Sequence, residues 1–159
     1  MFEPFCLQER YAPHNACFGC GPANEKGLRI RSMPSADTAD AAVTASWSPE
    51  KHHEAFEGMV NGGIIGALLD CHSNWTAAWH LMKREGQEQP PCTVTADFHV
   101  KLRRPTPSSA TLHLNAEVRE SDGPKVIIDA TLTDGENVCA TCVGTFVAVK
   151  PGHPAYHRW

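Results

Sequence analysis

One stretch of the chain has the length and composition of a single buried helix: Asn61-Gly-Gly-Ile-Ile-Gly-Ala-Leu-Leu-Asp-Cys-His-Ser-Asn-Trp-Thr-Ala-Ala-Trp-His-Leu-Met82. Apolar residues lie on most sides of this helix, which is typical of a helix enclosed by other elements. Asn61 is the expected N-cap, because its side chain can accept hydrogen bonds from the first free amides. Gly62, Gly63 and Gly66 each cost about 1 kcal/mol of helix propensity relative to alanine. That cost is understandable where another group approaches the backbone closely.

Alternating apolar and polar residues predict strands on both sides of this helix. Two strands precede it, at 28–33 and 43–48, paired antiparallel through a turn at 34–38. Four strands follow, at 93–102, 110–118, 126–132 and 138–149, and are expected to form a meander. In the first of these four, Thr93 and Thr95 alternate with an apolar set that includes Phe98 and Leu102. The order predicts an α+β domain in which a curved antiparallel sheet of about six strands wraps around one long central helix.

The length of 159 residues predicts a single domain. We expect an irregular N-terminal segment at 1–26, a core at 27–149 and a surface tail at 150–159. The formal net charge of −4 argues against a basic nucleic-acid-binding protein. No apolar run reaches the roughly 18 residues of a membrane span. The first ten residues do not resemble a signal peptide, so the seven cysteines are interpreted as reduced thiols of a cytoplasmic protein.

Two pairs of cysteines have C-x-x-C spacing, Cys17 with Cys20 and Cys139 with Cys142. In principle four thiolates can hold a zinc ion. We do not expect such a site, because the second pair lies in a predicted strand, where positions three apart point to opposite faces. The first pair is interpreted as a turn with two buried thiols. The sequence thus predicts no metal site.

The anomaly of the helix is Asp70, a carboxylate among apolar neighbours. Such a group must be paired or hydrogen-bonded, and it is either structural or a general base or nucleophile. At the helix start, Gly62 and Gly63 offer amides of the kind that an oxyanion hole requires. Because eight residues span about 12 Å along a helix, Gly62 and Asp70 of one chain cannot touch the same carbonyl. Two antiparallel helices related by a two-fold axis can bring them together, which predicts a site shared across a symmetric dimer.

Three segments in this order point to a known family. They are Cys17-Phe-Gly-Cys-Gly-Pro-Ala-Asn-Glu-Lys-Gly-Leu28, Gly58-Met-Val-Asn-Gly-Gly-Ile-Ile-Gly-Ala-Leu-Leu-Asp70 and Thr95-Ala-Asp-Phe-His-Val-Lys-Leu-Arg-Arg-Pro105. They resemble the hotdog-fold acyl-CoA thioesterases of the phenylacetic-acid-degradation type. The resemblance covers most of residues 17–149, and it implies a hotdog fold and hydrolysis of an acyl-CoA thioester.

Residue by residue, the resemblance implies that Asp70 acts as general base or nucleophile and that Gly62 donates the backbone amide of the oxyanion hole. It implies that Thr95 assists by positioning water or the carboxylate. Asn61 stands where the family usually has histidine; it can cap the helix and donate a hydrogen bond, but it cannot titrate near neutral pH. The implied state is a homodimer, with pairing of dimers into tetramers left open. Coenzyme A belongs to the substrate, and no separate cofactor is expected.

The substrate-binding candidates lie around the helix start and at one strand end. They are Gly63, His53, Phe56, Lys101, Arg103 and Arg104. The three cations form either a solvated strand edge or a clamp for the phosphates of coenzyme A.

Two other functions stay open. A non-catalytic acyl-CoA-binding module fits the same resemblance. A hotdog hydratase or dehydratase needs a histidine that works with an acid, and only His72, His52 or His53 can take that place.

Overall fold

One long helix and a six-stranded antiparallel sheet form the main body of the residues that the computed structural model describes, 2–35 and 42–157. The helices are α1 (Leu7–Tyr11) and α2 (Gly62–Arg84), and a 3-10 turn covers Lys51–His53. The strands are β1 (Met33–Pro34), β2 (Val43–Trp47), β3 (Glu54–Phe56), β4 (Met59–Val60), β5 (Thr93–Leu102), β6 (Leu112–Asp122), β7 (Lys125–Thr133) and β8 (Val138–Ala148). The α+β architecture predicted from the sequence is confirmed.

The strand order of the main sheet is β1-β2-β6-β7-β8-β5, and all neighbours are antiparallel. Strands β6, β7 and β8 form the expected meander, but β5 pairs with β8 and lies at the far edge. The prediction of a four-stranded meander is therefore wrong in its first strand. Pro105 and Pro107 follow β5 and cannot donate to a ladder. The chain there contacts the β3–β4 hairpin instead, through Val60 N–H to the Thr106 carbonyl and Ser108 N–H to the Gly58 carbonyl, both 2.9 Å.

The predicted strand at 28–33 is mostly replaced by irregular backbone. Only Met33 and Pro34 join the sheet, pairing with β2, and the predicted turn at 34–38 lies largely outside the described residues. The N–H groups of Leu28 and Ile30 bind the carbonyls of Phe18 and Gly19 at 2.7 and 3.1 Å. The N-terminal segment thus occupies the hydrogen bonds that a neighbouring strand would need.

The core lies between α2 and the inner face of the sheet. Its largest fully buried side chains include Trp75, Leu68 and Leu69 from the helix, which face Leu112, Ile128, Leu132 and Phe146 from the strands. Trp75 and Trp79 both belong to this core. The segment 1–26, expected to be irregular, contains α1 and contributes buried Leu7, Ala12 and Cys20.

A bulge in β5 changes which of its side chains face the helix. The register against β8 shifts between Thr95 and Asp97, and such a bulge reverses the alternation of the strand. Thr95 contacts α2 before the bulge. Phe98 and Leu102 lie against α2 after it, next to Gly66 and Gly62. Uniform alternation puts Thr95 and Phe98 on opposite faces, whereas the structure puts both on the helix side.

No helix within residues 2–35 and 42–157 is long and apolar enough to cross a membrane.

Candidate functional site

The centre of the candidate site is a hydrogen bond between Asp70 on α2 and Thr95 on β5. The Thr95 hydroxyl donates to Oδ1 of Asp70 at 2.6 Å. Asp70 is partly exposed, although Leu68 and Leu69 beside it are fully buried. One helical turn further on, the Thr93 hydroxyl donates to Asn74 Oδ1 at 2.7 Å. The two threonines on the helix side of β5 therefore hold two polar side chains of a helix that is otherwise packed in the core.

The start of α2 has the capping arrangement that the sequence predicts. The side chain of Asn61 accepts hydrogen bonds from the amides of Gly63 and Ile64, at 2.8 and 3.2 Å. Gly63, expected to present a free amide, therefore has its amide occupied by the cap. The first helical amide, Gly62 N–H, makes no hydrogen bond with any described residue. It is the amide that stays available at the positive end of the helix dipole.

Glycine at the helix start allows close packing with β5. A Cβ at Gly62 would lie 3.2 Å from Cδ1 of Leu102, which is tight for a side-chain contact. Phe98 and Leu102 are nevertheless 45% and 58% exposed. Strand β5 thus covers part of the first turn of α2, while Phe98 and Leu102 keep much of their apolar surface exposed to solvent.

The 3-10 turn and the hairpin before α2 place His53 and Phe56. The Nδ1 of His53 accepts the Glu50 amide at 2.9 Å, and its carbonyl accepts the Asn61 amide at 2.9 Å. Its ring lies against Trp47, with the ring centroids 4.8 Å apart and the planes tilted by 48°. Burial lowers the pKa of His53, and the neighbouring His52 lowers it further. Phe56 is 65% exposed. His53 is thus tied to the helix start, while Phe56 projects from the hairpin.

The predicted cation cluster lies on the outer face and the end of β5. Lys101 and Arg103 line a shallow depression there together with Arg119 and Asp129. Arg104 instead donates to Asn137 Oδ1 at 2.7 Å. Within one chain these cations are therefore not beside Asp70, which lies against the inner face.

His72, the buried candidate for a hydratase, is fully occupied by structural contacts. Its Nδ1 lies 2.8 Å from the Ser32 hydroxyl and its Nε2 lies 2.9 Å from the Val43 carbonyl. Burial lowers the pKa of His72 to about 4, so the ring is neutral near pH 7. It links α2 to the irregular segment and to β2, and it is closed to substrate.

Two cysteines near Asp70 were not among the predicted site residues. Burial, and then the negative charge of Asp70, raise the pKa of Cys142 to about 11, so this thiol stays protonated near neutral pH. Cys71 lies 3.8 Å from Cys17, sulfur to sulfur. The only sequence signal for Cys71 was its position directly after Asp70, and nothing in the spacing connects it to Cys17.

Neither a protein-family model nor a curated protein matches the sequence. Solved structures do match. A thioesterase superfamily protein from Shewanella loihica is 26% identical with a TM-score of 0.63, and the match covers 81% of this chain and 98% of that protein. This chain has the thioesterase-superfamily fold.

Two further neighbours agree with that result. Another thioesterase superfamily protein is 23% identical with a TM-score of 0.68, over 84% of this chain, which spans 63% of that protein's length. The PaaI protein from the phenylacetic acid degradation operon of E. coli is 16% identical with a TM-score of 0.63, over 77% of this chain and 81% of that one. The hotdog fold and the family resemblance read from the sequence are confirmed, and the names of these neighbours agree with a thioester hydrolase.

Proposed function

We propose that the protein hydrolyses acyl-CoA thioesters to a free acid and coenzyme A, in a site shared between two copies of the chain. The observation that supports this most strongly is the pairing of Thr95 with Asp70 at 2.6 Å in a partly exposed position of a buried helix. A carboxylate held in this way has an orientation fixed by its partner, and its partial exposure gives water access to it. The same helix begins with the uncommitted Gly62 amide, which supplies the second element that the chemistry needs.

The thioester carbonyl binds with its oxygen at the Gly62 amide. As the tetrahedral intermediate forms, negative charge develops on that oxygen, and an amide at a helix N-terminus stabilises it. Asn61 contributes indirectly, because its side chain fixes the next two amides and so holds the first turn in place. The absence of a side chain at Gly62 lets the carbonyl approach the backbone.

Asp70 from the second copy acts as general base. It takes a proton from a water molecule as the water oxygen bonds to the carbonyl carbon. The intermediate then collapses, the carbon–sulfur bond breaks, and coenzyme A leaves as a thiolate. Because thiols have an ordinary pKa of about 8.5, this leaving group needs little help from an acid. Thr95 is a positioning residue in this scheme, since it acts through Asp70.

A homodimer follows from the distance argument, because about 12 Å of helix separates Gly62 from Asp70 within one chain. The exposed apolar residues on β5 supply a suitable contact surface. We place the protein in the cytoplasm, where acyl-CoA is available and seven free cysteines stay reduced. The cations Lys101, Arg103 and Arg104 remain the candidates for contacts with the phosphates of coenzyme A.

The hydratase alternative is disfavoured by the contacts of two of its three candidate histidines. His72 is buried and bonded at both nitrogens. His53 accepts a backbone amide through Nδ1, and its ring lies tilted against Trp47. A non-catalytic acyl-CoA-binding module would have the same fold, so only a measurement of turnover distinguishes it from a thioesterase.

The deciding experiment measures thiol release from aryl, short-chain and medium-chain acyl-CoAs by wild-type protein and by Asp70→Asn. Protein is used at catalytic amounts, so that its own seven cysteines do not contribute to the signal. We expect the wild type to release coenzyme A. Loss of the general base should lower kcat by about 100- to 10,000-fold, with KM little changed.

Asp97→Asn is the matched control, because Asp97 lies on the same strand as Thr95 but is exposed. It should keep the wild-type kcat. Unchanged turnover in Asp70→Asn contradicts the assigned role of Asp70. Binding of acyl-CoA without thiol release indicates the binding module, and a change in enoyl absorbance without thiol release indicates a hydratase.

A further inference from the structure

Three cysteine thiols from two distant parts of the sequence converge beside α2. Cys17 and Cys20 belong to the N-terminal loop, and Cys71 belongs to the helix. Their sulfur atoms all lie within 4.8 Å of one another, and Cys17 and Cys71 are 3.8 Å apart. Cys20 is buried, while Cys17 and Cys71 are partly buried. It is the one group of three metal-ligating side chains at such distances within residues 2–35 and 42–157.

The loop depends on glycine at two positions in order to bring these thiols together. A Cβ at Gly19 would lie 2.3 Å from the sulfur of Cys71, and a Cβ at Gly21 would lie 2.3 Å from the Cys17 nitrogen. The Gly21 amide closes the loop by donating to the Cys17 carbonyl at 2.8 Å. Any side chain at Gly19 would push the loop away from Cys71. The convergence is thus a property of the loop's construction.

The sulfur spacing fits tetrahedral zinc better than it fits a disulfide. Zinc–sulfur bonds of about 2.3 Å in a tetrahedron put neighbouring sulfur atoms about 3.8 Å apart. The Cys17–Cys71 distance has this value, and the third sulfur needs to move by no more than about 1 Å. A disulfide needs about 2.05 Å and employs only two of the three thiols.

The surroundings suit thiolate ligands. The backbone amides of Gly19 and Cys20 are hydrogen-bonding partners of the Cys17 sulfur. Zinc binds cysteine as the thiolate, and three thiols this close together form a ligand set that it prefers. Amide donors to a ligating sulfur are a common support for metal sites.

We infer that Cys17, Cys20 and Cys71 form a binding site for a thiophilic divalent cation, zinc above all, with the fourth tetrahedral position open to water. The site replaces the four-cysteine arrangement considered from the sequence, because Cys139 and Cys142 lie in β8 and are not part of the cluster. It fastens the N-terminal loop to α2 one residue from Asp70. It does not depend on the proposed thioesterase activity.

The test uses full-length protein from zinc-supplemented cells, purified under reducing conditions without metal-affinity chromatography. Elemental analysis should find about one zinc per chain. Cobalt(II) added to the reduced, metal-free protein should give the near-ultraviolet absorption of cobalt–thiolate bonds. In Cys71→Ser the zinc affinity should fall by more than about 100-fold, since even loss of supporting contacts around a metal can reach that factor.

Cys92→Ser is the matched control, because Cys92 is equally a partly buried free thiol but lies outside the cluster. It should bind zinc like the wild type. If Cys71→Ser does not fold, Cys17→Ser replaces it, and the cobalt titration of the wild type needs no variant. The inference is overturned if folded, reduced wild type takes up neither metal, or if Cys71→Ser keeps the cobalt spectrum. A Cys17–Cys71 disulfide in protein that never binds metal overturns it too.

Discussion

The hydrogen bond from Thr95 to Asp70 joins β5 to α2, as the bond from Thr93 to Asn74 does one helical turn further on. Its length of 2.6 Å is typical of a hydroxyl that donates to an ionised carboxylate. A bond to a charged group contributes about 1.5–3 kcal/mol, and more is lost when a half-buried acceptor stays without its donor. The bond therefore fixes the orientation of Asp70 at the point where the proposed water molecule must be held.

Replacing Thr95 by valine keeps the shape of the side chain and removes only the hydroxyl. We expect kcat to fall by about 10- to 100-fold, which corresponds to the loss of one such hydrogen bond in the transition state. KM should change little, because Thr95 does not contact the substrate in the proposed scheme. Thr95→Ser keeps the hydroxyl and should restore most of kcat. Equal kcat values for the valine variant and the wild type contradict a positioning role.

Asp70 and Asn61 were predictable at this scale because each has a local signal. A carboxylate within an apolar helix and an asparagine before a run of glycines stand out in the sequence. The thiol cluster was not predictable, because Cys71 comes near Cys17 only through tertiary packing across 54 positions of the chain. The prediction that the Gly63 amide is free was wrong for a simple reason: the predicted cap binds it.

At the scale of whole elements, the start of α2 depends on one side chain. Asn61 accepts from two amides, and its own amide donates to the His53 carbonyl at 2.9 Å. The cap therefore joins the helix to the 3-10 turn before it. Three glycines in the next five residues make this first turn intrinsically weak, so that the cap matters more than it would on an alanine-rich helix.

Asn61→Ala should lower the free energy of unfolding by about 1–2 kcal/mol, because two amides lose their acceptor. Asn61→Asp keeps an acceptor at the same position and also places a negative charge at the positive end of the helix, so it should be at least as stable as the wild type. Urea denaturation followed by circular dichroism measures both. Equal stability of the alanine variant and the wild type would show that the first turn of α2 is stable without the Asn61 cap.

Helices and strands were predictable where the apolar residues keep one regular spacing over the whole element. The limits of α2, β7 and β8 follow closely from apolar spacing, whereas β6 begins two residues later and ends four residues later than the predicted strand at 110–118. The bulge in β5 was not predictable, because no residue type in the sequence marks where it occurs. It nevertheless changes the face of the sheet to which every later side chain of the strand points. The strand at 28–33 failed because alternation cannot show that another segment takes its hydrogen bonds.

At the scale of the molecule, the exposed edge strand β5 is the feature that a single chain leaves unexplained. This ten-residue strand forms one edge of the sheet, and Phe98 and Leu102 on it are 45% and 58% exposed. Long edge strands with apolar side chains are avoided unless something covers them. A second copy related by a two-fold axis covers such an edge with the same edge of its own. The packing argument and the distance between Gly62 and Asp70 thus lead to the same assembly.

Phe98→Glu places a charge in the contact of the proposed dimer, so this variant should be a monomer in analytical ultracentrifugation whereas the wild type should be a dimer. Thioesterase turnover should be lost together with the dimer, because Gly62 and Asp70 of one chain lie about 12 Å apart along α2. Phe2→Glu is the control, because Phe2 is a comparably exposed aromatic residue, at 39%, on the N-terminal segment. It should leave both mass and turnover unchanged. A monomeric wild type with full turnover excludes a shared site, since both groups would then have to act within one chain.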